Sequence, residues 1–189
     1  MRQSSRTELP DEEAASYRKS PLFAVSLAKL AILSLCTFGI YEWYWFLQQW
    51  RSERERTQEK FSPMLRALLA PFFAFGLFRR IHDLSVGLGL PPKWPAFTLG
   101  LVYLILTFAW LLSLGAFSNL SVLSFLPLLV VQHTANQLNR AAAPEVPRND
   151  KYSSSELTII VVGIVLRAVV IWVLRELGDL MTILESMTQ

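Results

Sequence analysis

Groups able to carry chemistry are few and scattered along this chain of 189 residues: Cys36 is its only cysteine, and His82 and His133 are its only histidines. His82 and Asp83 are sequence neighbours, which do not face one another on a helix, and His133 has no acid within a turn. A Cys/His metal site is therefore not expected, and no HExxH, GxSxG or P-loop pattern occurs. The expectation is a non-catalytic chain with no catalytic residues, no cofactor and no metal, although chemistry by carboxylates alone stays open.

Two charges stand out instead, because each interrupts an apolar run. Glu42 lies within residues 30–47, and Arg167 is close to the middle of residues 158–174. A charge placed in hydrocarbon costs about 2 kcal/mol or more unless it is paired or near water. Two readings fit. Either Glu42 reaches the headgroups and Arg167 snorkels, each alone, or the two meet between helices or line the path of a polar solute. Glu42, Phe46, Gln49 and Glu53 share one helical stripe, and Glu53 with Arg56 is spaced as a surface ion pair.

A second polar group sits in "QHTANQLNR", residues 132–140. On a helix Gln132, Asn136 and Asn139 form one stripe, while His133, Gln137 and Arg140 form its neighbour. Amide side chains of this kind glue helices together or satisfy breaks in backbone. To hold a small polar solute, the stripe would have to face a cavity.

Between them lies "CTFGIYEWYWFLQQW", residues 36–50, where an oily segment gives way to charge. Successive residues turn by about 100°, so these rings point all round a helix; a cage for a cationic ligand would gather them on one side. Tyr41, Trp43, Tyr44, Trp45 and Trp50 are read as an interfacial aromatic belt, ring bodies in oil and polar edges among headgroups.

The elements that must position these residues are apolar blocks. Hydrophobic residues make up 52% of the chain and charged ones 17%, and the mean hydropathy is +0.35, too oily for an ordinary soluble domain. The formal charge of +3 is spread over several loops, so nucleic acid is not an expected partner. Residues 1–20 are polar, of mixed charge and without the apolar stretch of a cleavable signal. Residues 30–47, about 27 Å as a helix, barely match a hydrocarbon core of about 30 Å. The block in "SPMLRALLAPFFAFGLFRR", residues 62–80, is shorter still and broken by Pro71. Residues 96–114, 120–131 and 158–174 read as three further apolar helices.

Loop charges rank the topologies. Residues 115–121 carry no charge and suit the outer face, which puts residues 79–93 and 140–151 inside and the acidic C-terminus outside. If both early segments span, the basic residues Arg51, Arg54, Arg56 and Lys60 lie outside; if only the first spans, Arg2, Arg6, Arg18 and Lys19 do instead. Fewest charges are misplaced when both segments enter and leave from the cytoplasmic side, turning near Gly39 and near Pro71. Such breaks must be packed against protein, because lipid cannot satisfy their backbone.

Thr37, Gly39, Ile40, Tyr41, Tyr44, Trp45 and Phe46 follow one another in a T-x-G-I-Y-x-x-Y-W-F pattern. The stretch resembles the signature of a large group of bacterial membrane proteins catalogued as a domain of unknown function, and the likeness extends over about residues 20–140. The resemblance implies a bacterial inner-membrane protein with no settled activity and no catalytic residues to carry over.

The expected fold is an all-α integral membrane protein. Three transmembrane helices lie in the C-terminal half, with two short, kinked or re-entrant apolar helices before them. Its parts are a polar tail at 1–20, a helical membrane domain at 21–175 and an acidic tail at 176–189. The expected role is a multi-pass inner-membrane subunit or scaffold with a cytoplasmic N-terminus. Its cytosolic helix ends, "RSERERTQEK" and "QHTANQLNR", would bind lipid headgroups, a protein partner or a second copy. The alternative is a component of a small channel or carrier whose path is lined by Glu42, Gln132, Asn136 and Arg167.

Overall fold

A computed structural model describes residue 15, residues 17–109 and residues 121–187, and all regular structure among them is helical. The helices are α1 (Leu27–Cys36), α2 (Ile40–Thr57), α3 (Pro63–Leu68), α4 (Ala70–Gly87), α5 (Ala96–Phe108), α6 (Phe125–Ala142) and α7 (Ser154–Met187). Hydroxyl caps start α1, α3 and α7, the last through Ser153, which accepts from the Glu156 amide. Ser26 accepts from the Lys29 amide at the head of α1, and Ser62 accepts from the Leu65 amide at the head of α3, where Pro63 sits in the first turn and gives up no needed donor.

The core follows the helical period. On α4, Ala70, Ala74, Leu77, Phe78, Ile81 and Leu84 are buried; on α6, Leu128, Val131, Ala135 and Leu138 are. Trp45, Phe46 and Trp50 of α2 enter between them, with Phe46 stacked on Phe78 at 6.2 Å and against Tyr103 of α5 at 5.3 Å. Glu42, Phe46, Gln49 and Glu53 are all buried, so the stripe read from their spacing is the inner face of α2. Glu53 is thus no surface partner: it is fully enclosed, bound by Arg56 at 2.7 Å and faced by Arg80 at 3.8 Å. The helix bearing it packs into the bundle where free helix was expected.

The early apolar segments are each split by a turn. The first breaks at residues 37–39, between α1 and α2; the second breaks at Leu69, two residues before the expected position, because Pro71 fits the first turn of a new helix better than the interior of an old one. The packed body also begins earlier than residue 21. Tyr17 and Ser20 are buried, and the Tyr17 hydroxyl donates to Asn139 Oδ1 at 2.5 Å.

Helix α7 differs from the rest. Residues Ser154–Leu180 are long and apolar enough to cross a membrane, and 6% of their most apolar stretch is buried. Among the described residues this is the one helix that meets both conditions; Ala96–Phe108 is apolar but shorter. The rest of the span expected at 96–114, and the uncharged loop 115–121 apart from Ser121, lie outside the described residues. Helix α7 runs alongside α1 in the same direction. Glu156 pairs with Lys29 at 2.8 Å near both starts, and Gly163 meets the Cys36 carbonyl near the end of α1. A Cβ at Gly163 would overlap that carbonyl, so glycine permits the approach. Beyond Arg167 the helix continues to Met187, about 30 Å past the α1–α2 turn.

Candidate functional site

The α1–α2 turn is built by two residues. The Thr37 hydroxyl donates to the Leu33 carbonyl at 2.7 Å and accepts from the Tyr41 amide at 2.9 Å, closing one helix and opening the next. Gly39, at φ +86°, takes the left-handed conformation, and its amide donates to the Ser34 carbonyl, the long-range bond of a glycine helix stop. Phe38 is also left-handed, at φ +52°, an unfavourable state for a bulky residue. Its ring lies 4.5 Å from the Arg167 guanidinium, a cation–π contact that helps to hold it.

Arg167 and Glu42 occupy opposite ends of this turn. Arg167 donates from Nη2 to the Leu35 carbonyl in the last turn of α1. Glu42 stands in the first turn of α2, where its Oε1 accepts from Ser124 Oγ at 2.7 Å, with the Tyr103 hydroxyl beside it. The two charges form no ion pair among the described residues. They share instead a cavity of about 320 Å³, to which Ser34, Phe38, Tyr103 and Ser124 also contribute. The Ser34 hydroxyl on its wall is buried and has no hydrogen-bond partner among the described residues.

The amide stripe of α6 serves another element. Residues 21–26 run without helix across the bundle, and side chains take up their backbone carbonyls one by one. Asn139 donates to Leu22 O at 2.9 Å, Gln132 and Gln49 to Phe23 O at 3.0 and 3.2 Å, Asn149 to Ala24 O at 3.2 Å, and Asn136 to Val25 O at 2.8 Å. Gln132 is the hub: its Oε1 accepts from Trp45 Nε1 at 2.6 Å and Gln49 Nε2 at 3.1 Å, while its Nε2 also reaches Asn136 Oδ1 at 2.8 Å. A buried extended strand without a sheet has no ladder to satisfy it, so these amides stand in for one. The neighbouring stripe of His133, Gln137 and Arg140 faces outward, His133 touching only Gln137 within it.

Of the expected aromatic belt, Trp43 and Tyr44 are exposed, whereas Tyr41, Trp45 and Trp50 are inside. Trp45 is a hydrogen-bonded core residue, and Trp50 packs under Arg66. Their positions on the inner stripe with Phe46 and Gln49 remove them from any lipid boundary.

Lys29 was the residue with a readable signal that the spacing arguments passed over, a lone charge in an apolar run like Glu42. It is 1% exposed, and its three protons go to Asn149 Oδ1 (2.8 Å), Lys151 O (2.9 Å) and Glu156 Oε2 (2.8 Å). It thereby fixes the loop that precedes α7. Among the described residues no group of His, Cys, Asp and Glu is placed to hold a metal ion.

No curated protein and no solved structure matches the chain. Residues 25–118 match a family, and the stretch contains the whole α1–α2 turn with Thr37, Gly39 and Glu42, while α6, α7 and Arg167 lie beyond it. The chain carries, over those residues, the domain described as a domain of unknown function (DUF4234).

Proposed function

We propose that the protein is a non-catalytic subunit or scaffold of the bacterial inner membrane, with α7 crossing the bilayer and the α1–α2 and α3–α4 hairpins entering and leaving from the cytoplasmic side. The observation that carries this reading is the register of α1 against α7. From Glu156, beside Lys29, to Arg167, beside the α1–α2 turn, α7 rises about 16 Å, roughly half of a hydrocarbon core of about 30 Å. A hairpin that turns at that depth is re-entrant, and its broken backbone is met by Arg167 at the Leu35 carbonyl and by the Thr37 hydroxyl at the Leu33 carbonyl and the Tyr41 amide, as such a break requires. The apolar segments 96–114 and 120–131 complete the spanning set in this reading, with the N-terminus cytoplasmic.

Polar ends of α2 and α6 then face the cytosol. Arg51, Arg54 and Glu55 on one, and His133, Gln137 and Arg140 on the other, are exposed and available to a protein partner, a second copy or lipid headgroups. Two measurements test the proposal. In a Cys36→Ser background, single cysteines at Gln58 and Met187 should be labelled from opposite sides of the membrane; labelling from one side overturns the topology. Arg51→Gln with Arg54→Gln, His133→Ala and Gln137→Ala should abolish cross-linking to the native partner or second copy, and undiminished cross-linking overturns the docking role.

A second reading, a small channel or carrier component, draws on the cavity shared by Glu42 and Arg167. It requires Glu42→Gln and Arg167→Leu to change solute flux in vesicles at unchanged expression.

A further inference from the structure

A second cavity, of about 520 Å³, opens between the start of α1, the end of α6 and the loop before α7, and Ser26, Leu27, Asn136, Arg140, Arg148 and Asp150 contribute to its wall. Its amides are already spent on the strand at 21–26, but its guanidiniums are not. Among the described residues Arg140 uses only Nε, on the Asn136 carbonyl, and Arg18 just beyond the cavity uses only Nε, on the Ala142 carbonyl. Their paired Nη groups and the whole of Arg148 have no acid partner among the described residues. Asp150 is the one carboxylate on the wall, and it forms no ion pair there either. The depth is set by Lys29, two residues into α1 from Leu27, which is bonded to Glu156 where the apolar run of α7 begins. On the membrane reading proposed above, the cavity therefore opens at the level of the headgroups.

We infer that this cavity seats the phosphate of an anionic phospholipid. Planar guanidinium forks match phosphate oxygens two at a time, and basic side chains at this level gain from the negative surface of the cytoplasmic leaflet. The full-length protein, stripped of lipid in detergent, should bind phosphatidylglycerol over phosphatidylcholine by native mass spectrometry. Arg140→Gln with Arg148→Gln should weaken phosphatidylglycerol binding about thirtyfold, at about fivefold for each charge lost. Asp150→Asn, which removes the only opposing charge on the wall, should strengthen it, and Lys93→Gln, exposed between α4 and α5 and away from the cavity, should leave it unchanged. Wild-type binding in both the Arg140/Arg148 and the Asp150 variants overturns the site, and displacement of the lipid by millimolar inorganic phosphate overturns the lipid as its source. If these results fail while the Gln58 and Met187 labels still fall on opposite sides, only this inference is lost and the membrane topology stands.

Discussion

Gln132→Leu tests the claim that α6 holds the strand at residues 21–26. Gln132 is fully buried and makes four hydrogen bonds. Leucine fills much of the same volume, so the cost is chiefly that of the groups left behind. Phe23 O retains Gln49 Nε2, and Gln49 retains Phe23 O, but Trp45 Nε1 has no other partner among the described residues; Asn136, half-buried on a cavity wall, can turn its Oδ1 to water. A fully buried group so orphaned costs about 1–3 kcal/mol. At about 2–4 °C per kcal/mol for a chain of this size, the melting temperature in detergent should fall by more than about 2 °C, and by up to about 12 °C. Fluorescence-detected size exclusion after heating reads that shift. With one of its five amides lost, the strand should loosen, and trypsin should cut at the exposed Arg18 and Lys19 faster than in wild type below the melting temperature. A variant that melts within about 2 °C of wild type and resists trypsin equally would refute the idea that the amides substitute for a sheet.

Thr37→Val keeps the shape of the turn residue but orphans the Tyr41 amide, and should cost about 1–3 kcal/mol by the same melting assay, with Thr37→Ser restoring most of it. Gly163→Ala places a Cβ into the Cys36 carbonyl and should destabilise by about 1–3 kcal/mol, whereas Gly178→Ala on the same helix meets nothing within 4 Å and should be neutral or slightly stabilising. Exchanging the two charges, Glu42→Lys with Arg167→Glu, should melt lower than either single change, and recovery toward wild type would show them to be partners after all.

The sequence carried the helical class, the break near Gly39 and the inner stripe of α2, because periodicity and a glycine stop are local signals. It also marked Gln132, Asn136 and Asn139 as one face. What those amides bind was not legible, since residues 21–26 read as the start of an apolar helix and nothing local says that "SPLFAVS" stays extended. Its helix begins only at Leu27, after Ser26 caps it. The aromatic stretch was misassigned in part for a related reason. Composition says that tryptophan prefers an interface, but whether a given ring faces lipid or core depends on which neighbours cover it, and Trp45 is covered by a glutamine from α6, 87 residues away.

Glu42 and Arg167 pose the same problem in sharper form, because opposite charges in two apolar runs invite pairing. The structure answers each with a helix end instead. A helix that stops inside a packed bundle leaves its last carbonyls without partners and carries about half a negative charge there, while one that starts leaves amides and about half a positive charge. At the α1–α2 turn both ends lie together. Arg167 faces the carbonyl end of α1 and Glu42 stands at the amide end of α2, so each charge has the sign that its own helix favours. Such contacts are worth up to about 2 kcal/mol where partly buried. If the two residues were bound to each other, exchanging them would preserve the attraction. Set against the dipoles of α1 and α2, the exchange reverses both contacts at once, and each side chain then repels the helix end that it had stabilised. That difference in sign separates a turn held open by its own helix ends from one clamped by a salt bridge.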